Sequence, residues 1–139
     1  MTEGTIKQKL VKMLRETGIL VVTRHEDRST SGIPDIEVTG CGVTTWWEVK
    51  YGKPGSPWKT KGIQHLHLLK LAASGDNGFY IIFEERELKV TAIAHPRSIG
   101  GSRTKDRRDD WNTVFGGRTF YYDWVVDEIA RLHIERGNR

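Results

Sequence analysis

Two carboxylates and an amine, Asp35, Glu48 and Lys50, lie in a stretch of sequence that predicts two short strands. A glycine-rich turn at residues 40–42 would join the strands as a hairpin. Because side chains alternate between the two faces of a strand, Glu48 and Lys50 share one face, and Trp47 points to the other. Pairing of the strands can bring Asp35 beside Glu48.

This cluster is poorly suited to a hydrophobic core, because bunched charges are costly to remove from water. A hard divalent cation would offset that cost, since Mg²⁺ takes oxygen ligands and is often held by one or two carboxylates. The cluster therefore predicts a metal-dependent site that cleaves phosphodiesters. The alternative is a surface hairpin that carries a solvated salt bridge.

The composition predicts one water-soluble domain over residues 1–139 that needs no disulfides, since Cys41 is the only cysteine. No apolar run approaches the length of a membrane span, and the start of the chain, with Glu3 and Lys7, lacks the apolar centre of a signal peptide. We expect a cytoplasmic protein. A net charge of +4 favours a polyanionic partner.

Hydrophobic periodicity predicts the order of the elements. Helices are expected at residues 5–16 and 63–74, and strands at 19–24, on both sides of the 40–42 turn, at 79–83 and at 88–94. The order is helix, three strands, helix, two strands. A hairpin around Gly116 and Gly117 and a last helix capped by Asp123 would follow. His65 and His67 are expected at the surface.

Lysines without opposing charges follow the hairpin, in a loop that also carries a tryptophan. Such a loop suits phosphate contact and stacking on an unpaired base, and the candidate residues for binding nucleic acid are Lys53, Trp58, Lys59 and Lys61. A solvated loop is the alternative. Further basic side chains that could contact a nucleic acid are Arg24, His25, Arg28, Arg97, Arg103, Lys105, Arg107 and Arg108.

Pro34-Asp35 followed by Glu48-Val49-Lys50 resembles the signature of the PD-(D/E)XK nucleases. With Gly32 before it and Gln64 after it, the pattern is most similar to the VRR-NUC branch, which is found in viral and bacterial replication and repair nucleases. The resemblance covers residues 3–94 and leaves 95–139 as a C-terminal extension, which could cap the core or form a dimer face. It implies a restriction-endonuclease-like fold, a mixed central sheet flanked by helices in αβββαβ order.

The resemblance also implies roles for individual residues. Asp35, Glu48 and the backbone carbonyl of Val49 would hold Mg²⁺ or Mn²⁺, and Glu3 from the first helix fits a further ligand position better than Glu16 does. Glu37 is an additional candidate ligand on the face of Asp35. Lys50 would orient a water or neutralise phosphoryl charge, and Gln64 would hold the water or the phosphate. The predicted catalytic set is Asp35, Glu48, Lys50 and Gln64.

The expected activity is structure-selective hydrolysis of DNA in replication, recombination or repair, by a homodimer. Two other functions stay open. One is a restriction-type endonuclease that reads a sequence, with residues 95–122 as the reading element. The other is a nuclease-like module that binds DNA without cutting it.

Overall fold

The structure is a computed structural model that describes residues 2–26, 33–52, 62–85, 89–98, 113–117 and 120–138. Its α-helices are Glu3–Glu16 (α1), Gly62–Ala73 (α2) and Tyr122–Gly137 (α3). Its strands are Val21–Arg24 (β1), Ile36–Gly40 (β2), Val43–Gly52 (β3), Gly78–Glu85 (β4), Lys89–Ala94 (β5) and Thr113–Gly117 (β6). A short 3-10 helix covers Pro96–Ser98. None of the described helices is long and apolar enough to cross a membrane.

The strands form one mixed sheet in the order β1-β2-β3-β4-β5-β6. Every neighbouring pair is antiparallel except β3 and β4, which are parallel and are connected through α2. A parallel pair needs a crossover connection, and α2 supplies it. The predicted order of a helix, three strands, a helix and two strands is confirmed, and so is the restriction-endonuclease-like fold class.

The two faces of the sheet bury different sets of side chains. Trp47, Val49 and Ile81 lie in a large core that also contains side chains of α1 and α3. Tyr80 and Ile82 point the other way and pack in a smaller core with Leu68 of α2. Trp47 is therefore on the opposite face from Glu48, as the strand alternation predicts.

Helix α2 comes very close to the start of β4. A Cβ atom on Gly78 would lie 2.9 Å from Cβ of Leu71 and 3.0 Å from the carbonyl oxygen of Leu68. Any side chain at this position would push α2 away from the sheet. The close approach fixes α2 over β4, where it can cover the even-numbered side chains of β3 and β4.

The predicted turn between β2 and β3 is a two-residue hairpin loop. Gly40 pairs with Val43, and Cys41 and Gly42 between them have φ values of 54° and 77°. Positive φ at both central positions is typical of the type I′ turn, whose twist matches that of the flanking strands. The turn fixes the register that sets Ile36 opposite Trp47.

The C-terminal residues form part of the same sheet and core. β6 pairs with β5 as a single strand, so the expected hairpin around Gly116 and Gly117 is wrong. Asp123 lies in the first turn of α3 and does not cap it, because the N-cap residue is Tyr121. Val125, Val126 and Ile129 place the apolar side of α3 in the large core.

Candidate metal centre

The hairpin brings Asp35 and Glu48 into direct contact at the start of β2. The backbone N–H of Asp35 donates to Oε1 of Glu48 over 3.0 Å. Oδ2 of Asp35 accepts from the backbone N–H of Val49, also over 3.0 Å. In an extended strand the N–H and C=O of one residue point to the same edge, so the Val49 carbonyl lies on the side of β3 that faces Asp35. The two carboxylates and this carbonyl thus converge.

Glu48 is a buried acid with a strongly perturbed affinity for protons. Only 2% of the residue is exposed, and burial together with the charge of Asp35 raises the pKa of Glu48 to about 8. The charge of Lys50 opposes part of this rise. Desolvation and a neighbouring like charge both disfavour the ionised form of a carboxyl group. In the protein without a cation, Glu48 therefore holds its proton more tightly than an ordinary glutamate does.

Lys50 follows Glu48 on the same face of β3 and is 7% exposed. Its Nζ lies 3.5 Å from Oε2 of Glu48. Burial of both groups limits the directions that the amine can take. Lys50 therefore places a positive charge beside the carboxylates of Asp35 and Glu48.

A buried polar pair lies next to Glu48 on β4. Tyr80 is directly opposite Glu48 in the register, and its hydroxyl lies 2.9 Å from Nδ1 of His65 on α2. Burial, and then the charge of Glu48, raises the pKa of Tyr80, and burial lowers the pKa of His65. The expectation of a surface position for His65 is wrong, because the side chain turns inward to bond Tyr80. Sequence spacing alone carries no signal for this pair.

Gln64 lies in the first turn of α2, as predicted, and is partly exposed. Its Oε1 atom is buried and makes no hydrogen bond among the described residues. A buried carbonyl oxygen without a donor is costly, and such atoms usually have a water, ion or ligand as partner. The oxygen is therefore available to accept a hydrogen bond from a water molecule or a ligand.

Helix α1 reaches Asp35 through Lys7. The Nζ atom of Lys7 lies 3.3 Å from Oδ1 of Asp35. Glu3, the residue expected to join the metal ligands, instead accepts a hydrogen bond of 3.4 Å from the backbone N–H of Tyr51. Glu16 lies at the far end of α1, beside Lys12 and Arg24 around a groove of about 460 Å³. Glu3 is thus the nearer of the two acids, but the sequence did not predict the Lys7 contact.

Some of the other predicted residues lie in the described part of the chain, and the rest lie outside it. Glu37 lies on the face of Asp35, but its Oε1 is bonded to Nε2 of His25 over 3.0 Å. The candidate residues for binding nucleic acid lie outside the described residues: Lys53, Trp58, Lys59 and Lys61, and with them Arg28, Arg103, Lys105, Arg107 and Arg108. Among the described residues, Arg97 is exposed and follows the 3-10 helix start at Pro96.

The donor set can be tested against a divalent cation. Within the described part of the chain, no group of three or more His, Cys, Asp and Glu side chains could hold a metal. This excludes a zinc-type cluster there and leaves two carboxylates and a carbonyl. Mg²⁺ commonly takes such a small protein set and completes its shell with water. The residues fit a hydrated Mg²⁺ or Mn²⁺, and the unsatisfied oxygen of Gln64 fits a water nearby.

The fold places the chain among the proteins with a restriction-endonuclease-like core. No protein-family model matches the sequence, and no curated protein is significantly similar to it. A similar solved structure is Hjc, a Holliday junction resolvase from the archaeal hyperthermophile Archaeoglobus fulgidus. The TM-score is 0.54 at 14% sequence identity, and the match covers 76% of this chain and 90% of that one. At this identity the similarity shows a shared fold.

Proposed function

We propose that this protein is a divalent-metal-dependent deoxyribonuclease that cleaves branched DNA in replication, recombination or repair. The observation that carries the proposal is the convergence of Asp35, Glu48 and the Val49 carbonyl beside the buried amine of Lys50. Glu48 is buried and Asp35 is largely shielded, and two such close carboxylates are destabilising unless a cation or another positive charge compensates them. The perturbed pKa of Glu48, caused by burial and by Asp35, also supports a functional site.

The chain supplies five groups to the reaction. Asp35, Glu48 and the Val49 carbonyl would hold Mg²⁺ or Mn²⁺, which would polarise the scissile phosphate and lower the pKa of a coordinated water. Lys50 stabilises negative charge on the phosphoryl oxygens or orients the attacking water. Gln64 accepts a hydrogen bond from that water through its buried Oε1. Glu3 is left outside the proposed ligand set, because among the described residues it does not come together with Asp35 and Glu48 as a group of three possible metal ligands.

The proposed substrate is a DNA junction or another branched form. The Archaeoglobus fulgidus protein with the similar fold is a Holliday junction resolvase. The signature around Asp35 and Glu48 further supports the VRR-NUC branch of the PD-(D/E)XK superfamily and a phage or bacterial setting in the cytoplasm. The basic loop with Lys53, Lys59 and Lys61 would bind phosphates without regard to sequence.

The active form is proposed to be a homodimer, because one centre per chain cuts one strand and a junction requires two cuts. Sedimentation velocity with and without a four-way junction tests this. A second chain per junction is the expected result. Monomers at micromolar concentration in both conditions would contradict it.

The function itself is tested by incubating the protein with end-labelled single-stranded, duplex, flapped and four-way DNA. Cleavage of a branched form in Mg²⁺, its absence in EDTA, and its loss in Asp35→Asn are expected. An Asp123→Asn variant is the matched control, since Asp123 is an exposed acid in α3. Equal cleavage by both variants, or none by the wild type in Mg²⁺ or Mn²⁺, would contradict the proposal.

A further inference from the structure

Two aromatic side chains stack on the sheet face that carries the metal centre. The rings of His25 and Trp46 have centroids 5.5 Å apart and an interplanar angle of 25°. Both residues are partly exposed. The stack, called here the His25–Trp46 pair, lies on the polar side of the sheet, whereas Trp47 next to it is in the core.

The pair is held in place from both sides. Nε2 of His25 lies 3.0 Å from Oε1 of Glu37, which fixes the orientation of the imidazole ring. The backbone N–H of His25 donates to the carbonyl of Asp35 over 2.8 Å, and that of Trp46 donates to the carbonyl of Asn77 over 2.7 Å. Aromatic rings with fixed orientations lose little conformational freedom when a ligand binds. A surface whose only role is to face water gains nothing from this rigidity.

The register places the pair directly beside the metal centre. Trp46 is opposite Glu37 across the β2–β3 pairing, and the next residues on the same face are Asp35 on one strand and Glu48 on the other. Two residues along a strand span about 7 Å. In a B-DNA strand this span corresponds to about two nucleotides, at about 3.4 Å of rise each, and a more extended unpaired strand covers it with fewer. The pair is therefore one or two nucleotides from a phosphate held at the centre.

The described helices leave the face around the pair uncovered, since α1 and α3 pack into the large core on the other face. α2 packs on β4, while Thr23, the β1 neighbour of Glu37, is exposed. Among the described residues, the exposed and partly exposed side chains of this face thus run from Thr23 through Glu37 and Trp46 to Asp35, beside the buried Glu48. This open part ends at the carboxylates. A DNA strand whose phosphate reached the metal centre would therefore pass across the His25–Trp46 pair.

We propose that the His25–Trp46 pair is a binding subsite for the nucleobase of an unpaired nucleotide, one or two positions from the scissile phosphate. The inference deepens the proposed function and rests on it for the location of that phosphate. Stacking on an aromatic side chain tolerates every base, because each base has a π-face. A base inside an intact duplex is already stacked on its neighbours. The subsite therefore selects open or branched DNA without reading a sequence.

The test is a coupling experiment on binding, measured by fluorescence anisotropy in Ca²⁺ so that it does not depend on cleavage. The probes are a series of splayed or four-way DNAs. Each carries one abasic nucleotide, at a different position on either side of the branch point. In the wild type, one abasic position should weaken binding by about 5- to 100-fold, the usual effect of losing one stacked base. In Trp46→Leu that penalty should disappear, because the partner of the base is gone.

The matched control is Trp124→Leu, since Trp124 is a partly buried tryptophan of α3 that packs against the large core on the other face of the sheet. It should keep the abasic penalty. His25→Ala should reduce the penalty, and Trp46→Phe should restore it. If Trp46→Leu does not fold, the two variants His25→Ala and Trp46→Phe decide whether the subsite exists. An abasic penalty unchanged in His25→Ala, or in a folded Trp46→Leu, overturns the subsite.

This result is separate from that of the cleavage assay. A protein that binds DNA with the Trp46-dependent penalty but never cuts would overturn the proposed activity and leave the subsite standing. A protein that cuts branched DNA in Mg²⁺ with no penalty that depends on Trp46 would overturn the subsite alone.

Discussion

The amine of Lys7 lies 3.3 Å from Oδ1 of Asp35, and both side chains are largely shielded from solvent. This contact ties the first turns of α1 to the start of β2. It also places a positive charge where a divalent cation would bind. Lys7 and Lys50 therefore stand on either side of the carboxylate pair, each against a different acid.

Replacing Lys7 by methionine should strengthen metal binding by on the order of tenfold. The substitution keeps the apolar stem and removes a charge that lies 3.3 Å from Oδ1 of Asp35. Two unit charges about 4 Å apart interact by about 1 to 4 kcal/mol. Calorimetric titration with Mn²⁺ measures the change. Lys12→Met, on an exposed turn of the same helix, is the control and should leave the affinity unchanged. Weaker or equal binding in Lys7→Met would show that Lys7 does not compete with the cation.

Glu48→Gln should stabilise the metal-free protein at pH 8 and leave its stability nearly unchanged at pH 4.5. The raised pKa of Glu48, caused mainly by burial and by Asp35, means that the native state holds a proton which the unfolded state releases above its ordinary value of 4.5. Native stability is therefore complete below pH 4.5 and falls as the pH rises toward about 8. Glutamine does not titrate, so it escapes that loss.

The gain at pH 8 should be a few kcal/mol at most, since one pKa unit corresponds to about 1.4 kcal/mol. Urea denaturation of both proteins in EDTA, at pH 4.5, 6 and 8, measures it. Adding Mg²⁺ should stabilise the wild type and not the variant. A difference in stability that does not depend on pH would rule out Glu48 as the titrating group.

His133 closes a chain of hydrogen bonds that joins α3 to the hairpin. Nε1–H of Trp47 donates to Oγ1 of Thr45 over 2.7 Å, and Oγ1 lies 2.8 Å from Nε2 of His133. Nδ1 of His133 lies 3.0 Å from the carbonyl of Gly40, so a neutral ring donates there and accepts from Thr45. α3 thereby supports the strand that carries Glu48.

His133→Leu should destabilise the protein by about 1–3 kcal/mol at pH 7.5, because Thr45 and Gly40 lose buried partners. Burial lowers the pKa of His133, so its stabilising contribution is complete above pH 6.5 and is lost as the pH falls. The difference between the variant and the wild type should therefore shrink at pH 5. Ile134→Ala, at an exposed neighbouring position, is the control. A constant difference across this pH range would contradict the neutral-ring assignment.

Alanine at Lys53, Lys59 and Lys61 should flatten the salt dependence of DNA binding. Removal of one phosphate contact reduces the slope of log K against log salt by about 0.9 for duplex DNA and about 0.7 for single strands. Binding titrations at several NaCl concentrations measure the slope. Alanine at Lys12, on α1, provides a comparison away from this loop. An unchanged slope in the triple variant would place the DNA elsewhere.

The hairpin was predictable because its information is local. The alternation around Trp47, Glu48 and Val49 sets which side chains share a face, and the glycine on each side of Cys41 marks the turn. These two signals are enough to set Asp35 beside Glu48. The same alternation correctly separated the core side of β3 from the polar side.

The contacts between elements were not predictable in the same way. Whether Lys7 or Glu3 of α1 meets Asp35 depends on how the helix rotates against the sheet, which no local pattern specifies. His65 turns inward because Tyr80 offers a hydroxyl on a strand that is distant in sequence. Gly116 and Gly117 resemble a turn, but pairing with β5 holds them in a strand. In each case tertiary packing outweighs the local preference.

The most direct test of the account is the rate at which Glu48→Gln cleaves the preferred DNA at saturating Mg²⁺, beside the wild type. The variant should fold at least as well as the wild type, which urea denaturation establishes independently. Loss of a residue that only hydrogen-bonds a metal ligand lowers activity by roughly 10- to 100-fold. Because Glu48 is proposed to be a ligand itself, the cleavage rate of the variant should fall by more than this. Cleavage by a folded Glu48→Gln protein at the wild-type rate would show that this hairpin does not hold a catalytic cation.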